Sequence, residues 1–524
     1  MSAAVLGMRP ATLARLAVAG TRTDALRVTL TALSALLGTL ALLAALTVAA
    51  IPTPVGTVDG SASWSQQYTS ALLREPGLRP GVASALVLLT LPVLALAGQC
   101  ARIGAPARDR RLAALRLAGA TPRQCTAVVA AETGAAALLG TVAGFAGYFA
   151  LRAALDRPDA RGRLPLPTDV LPHPAAQAAV LLGLPLLSAL TSAFLTRRVT
   201  VDPLGVTRHA RTRAPRPWPV LLLGLGIAAV VTGNALTAGK VSPLAEAAPR
   251  LLLAVGGLCA LLGVVLGTGW LSVAAGRTLH RFARSAPALL ASRQLTADPW
   301  RGSRTLAAFL ACVTCGAGAA AVRAFFLTSE QAEAAWARRY AEATGESGRD
   351  VATWDPFYLD AMNLVDLAVV TALVIAACGL LVALAESVAA RHRVHTALVA
   401  SGVPRGVLVR AGLWRTLAPA VPAVLLALAT GTALGRGAVG TRVATGSFRG
   451  RVCTAADGCP DGLTHANSTP VTVPEVVRTT PVPWSELALY GVGALTALLV
   501  VTAAALLLLR GARGAVRAEE LRTG

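Results

Sequence analysis

Lysine occurs once in this chain, at Lys240. A phosphate-cradling loop needs G-x-x-x-x-G-K-[ST], so any ATP site would have to be built around that residue. The stretch from Gly233 to Lys240 has five residues between its glycines, and Val241 stands where the hydroxyl is required. No ATPase is expected in this chain. Histidine is also scarce: His173, His209, His280, His392, His395 and His465 are scattered, with no H-E-x-x-H spacing to hold a metal. A G-x-S-x-G nucleophile elbow is missing as well. Aromatic residues are 4% of the chain, so the net charge of +22 has no basic–aromatic stripe to make it a nucleic-acid surface. Charged residues make up only 14%, against about 25% in soluble domains.

What the chain has instead is apolar length. Hydrophobic residues are 55% of the 524, and the mean hydropathy is +0.62. Leu/Ala/Val runs of about twenty residues recur, enough at ~1.5 Å per residue to cross a ~30 Å hydrocarbon core. Backbone polar groups in lipid must be satisfied within the segment, so each run is expected to be a helix. Ten spans are expected near 28–51, 81–100, 126–150, 175–196, 219–238, 251–272, 303–327, 364–387, 411–434 and 486–509. The first is too long for a cleaved signal peptide and is expected to remain as an anchor.

The distribution of charge predicts orientation. Arginine dominates the segments before span one, between even and odd spans, and after span ten, while the alternate loops are nearly neutral. By the positive-inside rule both termini are cytoplasmic. The single lysine and the Ala-rich bias suit a high-GC bacterial genome, and hence the inner membrane. Cys312 and Cys315 form a C-x-x-C within a span among Ala, Val and Gly, where small residues serve helix–helix contact. Cys453 and Cys459 lie in the last outer loop, 435–484, and are expected to close a disulfide that staples it.

The chain also repeats itself. After span two comes RRLAALRLAGATPRQ (110–124), and after span eight comes RVHTALVASGVPRGV (393–407). Ala114-Leu115 matches Ala397-Leu398, Gly119 matches Gly402, and Pro122-Arg123 matches Pro404-Arg405. In the first copy Leu112, Ala114 and Leu115 can form an apolar stripe, with Arg110, Arg111 and Arg116 solvated. Gly119 suits a helix C′ position, and Pro122 prevents continuation. The second copy carries Arg393, Leu398, Gly402 and Arg405 in the same order. Two similarly placed cytoplasmic helices suit levers touched by a partner, or helices lying on the lipid interface. The organisation is therefore 1–215, a four-span unit; 216–275, a two-span insert; and 276–524, a second four-span unit.

The two blocks, with VTVDPLGVTR (199–208) and ASRQLTADPWRGSR (291–304), resemble the FtsX-like permease family, the membrane subunits of ABC transporters related to MacB and LolC. The resemblance implies an all-α polytopic membrane protein of about ten transmembrane helices in a 4+2+4 order. It implies a separate cytoplasmic ABC ATPase dimer that binds ATP and magnesium, this chain holding no cofactor. By the same resemblance Arg110, Arg111, Leu115, Arg116, Gly119, Arg123, Arg393, Leu398, Gly402 and Arg405 couple to that ATPase. The output would be export of an amphipathic or lipid-like substrate, or mechanical signalling across the membrane. One chain could form the whole transmembrane part, or two could pair as a homodimer. The alternative is a non-transporting scaffold or sensor that regulates an envelope enzyme or a histidine kinase. The resemblance departs at loops 52–80 and 328–362, too short for a large extracytoplasmic domain.

Charges within spans mark functional positions by default. Glu132 in span three and Arg415 in span nine occupy nearly equivalent places, and a pair across the two units is one expectation; snorkelling is the other. Arg323 and Asp366, near the outer ends of neighbouring spans, are expected to form a second pair.

Overall fold

The structure, a computed structural model, describes residues 22–52, 57–58, 61–62, 67–74, 79, 81–83, 85–87, 89–90, 114, 116–199, 217–237, 247–297, 299–344, 357–389, 398, 401–453 and 468–520. Among these, nine helices are long and apolar enough to cross a membrane, and they coincide with nine of the ten expected spans. The second expected span, 81–100, lies largely outside the described residues.

The first group comprises α1 (Arg22–Ala49), the short α2 (Ala71–Arg74), α3 (Pro122–Leu155) and α4 (Pro174–Val199). A small hairpin, β1 (Thr57–Val58) with β2 (Ser61–Ala62), follows α1, its strands antiparallel with Thr57 opposite Ala62. Helices α1, α3 and α4 all pack on one another. A second group begins with α5 (Trp218–Thr237), α6 (Ala247–Phe282) and the short α7 (Ala286–Ala297). It continues with α8 (Pro299–Thr344), α9 (Phe357–Ala389) and α10 (Arg405–Val439), and ends with α11 (Trp484–Glu520). Between α10 and α11 lie β3 (Arg442–Ala444), β4 (Phe448–Cys453), β5 (Ser468–Val473) and β6 (Val477–Thr479). They pair as β3–β6 and β4–β5, both antiparallel, with Arg442 opposite Thr479 and Phe448 opposite Val473.

Two boundaries differ from the sequence reading. Helix α6 runs through position 275 to Phe282, about two turns beyond the expected end of the insert. The wet positions Arg277, His280 and Arg281 interrupt the hydropathy there but not the helical backbone. Likewise residues 328–344 are no loop: α8 continues through them, and its apolar face carries Phe325, Ala332, Ala335 and Trp336 onto Val443 and Val476 of the strand region. The insert helices α5 and α6 pack against α8 and α10 of the second group.

Glycine lets the tightest pairs approach. Gly140 and Gly144 on α3 face α1, and a Cβ at Gly140 would sit 2.0 Å from the Ala32 carbonyl oxygen. Gly431 and Gly435 on α10 face α8, where a Cβ at Gly431 would sit 2.1 Å from the Thr314 carbonyl oxygen. Both are small-x-x-x-small seams of the kind that substitutes for hydrophobic drive in lipid. Buried hydroxyls beside them are satisfied within their own helices: Thr39 donates to Ala35 O at 2.7 Å and Thr314 to Leu310 O at 2.9 Å. The main core gathers Phe309, Leu310 and Val313 of α8 with Leu380, Val424 and Leu498 of three further helices. Large side chains such as Leu182, Leu186 and Leu190 on α4 are exposed, as a lipid-facing surface requires.

Candidate functional site

Three regions carry the polar chemistry: the repeated blocks, and a cluster at the distal end of each group. The distal end is the one reached by the last residues of α1 and expected to face outward.

Of the first repeated block the structure describes Ala114 and residues 116–124. The Gly119 N–H donates to Arg116 O at 2.9 Å, and Gly119 has φ +91°. In the second block Val403 N–H donates to Leu398 O at 3.0 Å, and Gly402 has φ +93°. The two bonds are the 5→2 and 6→1 closures of one C-terminal motif, with glycine at the left-handed position in both. The prolines do more than prevent continuation. Pro122 is the first residue of α3, behind a capping box in which Thr121 N donates to Gln124 Oε1 at 2.8 Å and Gln124 N to Thr121 Oγ1 at 3.3 Å. Pro404 caps α10 without a side-chain bond. Each block is thus a helix end, a left-handed glycine and an immediate new helix.

Ala114, expected in the apolar stripe, is exposed, and Leu117 is 90% exposed. Leu117 is thus an exposed apolar tip that the sequence reading missed; an apolar residue next to Arg116 was the available signal. Arg116 is half-buried and Arg123 exposed. Arg110, Arg111, Leu115 and Arg393 lie outside the described residues, as does Cys459, and of Arg405 and Cys453 only the backbone is described.

At the distal end of the first group, Tyr68 is fully buried and donates to Asp169 Oδ1 at 2.9 Å, with Oδ2 at 3.1 Å. Burial, then the Asp169 hydrogen bond and charge, push the Tyr68 phenol above its ordinary value. Arg79, 4% exposed, spans four carbonyls: Leu73 O at 2.8 Å, Pro52 O at 3.0 Å, Ile51 O at 3.2 Å and Arg74 O at 3.3 Å. Its burial lowers the guanidinium pKa. Asp159 closes the neighbouring turn by accepting from the Arg161 and Arg163 amides, both at 2.8 Å. Those bonds hold its carboxyl below the usual range.

At the distal end of the second group the structure brings Arg323 and Asp366 together, with Nη1 2.5 Å from Oδ2. Arg323 Nη2 also donates to Asn363 Oδ1 at 3.0 Å, and its Nε lies 3.9 Å from Glu486 Oε1. The Tyr490 hydroxyl donates to Asp366 Oδ1 at 3.1 Å. One polar junction therefore ties α8, α9 and α11. Asn363, Glu486 and Tyr490 were not singled out by sequence, because hydropathy does not reveal which helices are neighbours. Glu132 and Arg415 are a different matter. Glu132 is buried on α3, Arg415 is half-buried on α10, and no ion pair joins them among the described residues; each is otherwise engaged.

The arrangement defines an all-α polytopic membrane protein whose polar chemistry sits at helix ends. Residues 83–204 match the family model of the FtsX-like permease C-terminal domain. This segment supports a kinship with the FtsX-like permease family, whose members are ABC-transporter-type membrane components, and the long apolar helices make the chain a multi-pass membrane protein. No curated protein and no solved structure matches the chain.

Proposed function

We propose that the chain is the transmembrane subunit through which a separate cytoplasmic ATPase acts, the repeated blocks at 108–124 and 391–407 being its contact points. The observation that carries this reading is the family match over 83–204, which contains the first block, together with the exposed Leu117 tip beside it. The paired glycine caps support it further. A helix stopped by a left-handed glycine and followed at once by a membrane helix passes a push on its tip directly into that helix. ATP and magnesium would be held by the partner. The output would be movement of an amphipathic or lipid-like molecule, or motion delivered to the distal end.

The test is co-purification of the full chain with its ATPase, combined with stimulated ATP hydrolysis. The triple variant Leu115→Asp, Leu117→Asp and Leu398→Asp is expected to lose both. Retained binding and stimulation in a variant that elutes normally would sink the assignment. A second reading, a non-transporting sensor, draws on the Arg323 ion pairs, which cluster at the distal end of the second group. Loss of signalling without loss of substrate movement would separate the two.

A further inference from the structure

A groove of about 570 Å³ runs between α6 and α10, opening near the start of α10, just beyond the second repeated block, and away from the distal clusters. That volume lies within the roughly 300–1,000 Å³ typical of small-ligand sites. Its walls are Leu271, Thr278 and Phe282 on α6 and Trp414, Leu417 and Pro422 on α10. The walls are thus almost wholly apolar, yet one acceptor is placed there: Pro422 has no N–H, so the Ala418 carbonyl at the same wall lacks its helical donor.

The mouth has the opposite character. Trp414 and Phe282 are exposed at the end where α6 stops and α10 starts. Arg281 lies over the Phe282 ring, 6.0 Å from its centroid. Arg410 is exposed and precedes Trp414 by four residues, one turn along the groove-facing stripe. Neither α6, α10 nor the intervening α7 carries a single acidic residue. An aromatic beside arginines that no acidic residue of these three helices opposes fits a ligand with a negative head and an apolar tail.

We propose that this groove is a binding site for an anionic phospholipid, one acyl chain lying along α6 and α10 and the phosphate held by Arg281 and Arg410. The site closes a gap between the insert helix α6 and the second unit, so its occupant is part of that interface. The inference rests on the groove and its charges, independently of ATPase coupling.

The experiment reconstitutes the full chain in vesicles of phosphatidylcholine doped with phosphatidylglycerol brominated on its acyl chains, or with brominated phosphatidylcholine. Fluorescence quenching is read as wild type minus Trp414→Phe, which isolates Trp414 from the other tryptophans. Half-quenching is expected at an at least about fivefold lower mole fraction of the anionic lipid, the order expected for one arginine near the surface. The preference should vanish in Arg281→Gln/Arg410→Gln. It should also vanish in Ala418→Phe, which fills the groove while leaving both arginines. Equal quenching by the two lipids, or a preference unchanged in either variant, overturns the proposal. So does a Trp414 shielded from both lipids, which would assign the groove to protein such as a second copy. Elution and helical content matching wild type qualify each variant, and the two variants fail independently if one does not fold.

Discussion

The first and second units solve the same problem with different materials at their distal ends. In each, the first and third helices of the unit cross at a G-T-x-x-G seam: Gly140 to Gly144 against α1, and Gly431 to Gly435 against α8. In each, a left-handed glycine precedes the third helix. Beyond the seams they part. The first unit closes with loop chemistry, Tyr68 on Asp169 and Arg79 on four carbonyls. The second prolongs α8 to Thr344 and lays the nested strand pairs β3–β6 and β4–β5 on it, with Tyr340 edge-on to Phe448, centroids 5.1 Å apart. The seams, buried in lipid, admit few alternatives because backbone must touch backbone. The ends, in water, have many ways to bury a turn.

The largest expected effect tests the shared part. Gly140→Leu and Gly431→Leu each drive a side chain into a facing carbonyl, and each should destabilise by at least about 3 kcal/mol. Gly257→Ala, with nothing within 4 Å of its added Cβ, should stay within about 0.5 kcal/mol. Thermal melts of detergent-solubilised protein measure all three, and a large effect at one seam only would break the parallel.

Arg79→Ala comes next, at about 3 kcal/mol, since it strands buried carbonyls. Hydrogen exchange should speed up across 67–74 and leave β3–β6 unchanged. On the other side, Arg323→Leu should cost about 1–2 kcal/mol, discounted because the pair is partly exposed. The double variant Arg323→Leu/Asp366→Leu should recover part of that loss in the same melt. A double variant worse than the single would show that Asn363 and Tyr490, rather than the ion pair, hold the junction.

Acidity should distinguish the ends more gently. Tyr68 is raised when folded, so its contribution is complete below the phenol's ordinary value of 10.0 and is lost as pH climbs beyond it. Tyr68→Phe should flatten that alkaline decline while costing about 1 kcal/mol at neutral pH. Asp159 is lowered, so its contribution is present above the ordinary 3.8 and is lost as pH falls through its folded value. The amides of Arg161 and Arg163 should lose exchange protection there, by the smallest effect of the set.

The spans were legible because a lipid solvent demands long apolar helices, and nine of them reappear within a few residues at most boundaries. The extension of α8 was not, because Glu330, Glu333, Arg338 and Arg339 make residues 328–344 read as a polar loop although their backbone stays helical. At the site, Gly119 and Gly402 were readable from their spacing to proline. Arg323 with Asp366 was readable because charge in a span demands a partner. Arg79 was not, since its partners are main-chain carbonyls that no residue type advertises.

The seams also act as fulcrums. A helix pinned at one point by backbone contact pivots there, and the arms on either side set how displacement is divided. On α3 the arms are about 30 Å and 20 Å, at 1.5 Å per residue on either side of Val142. On α10 they are about 42 Å and 9 Å around Ala433, while on α8 they are about 26 Å and 42 Å around Gly316. A swing of the start of α10 would thus be geared down at its distal tip, trading travel for force. The same swing on α8 is geared up, and its long arm is the one that carries the nested strands.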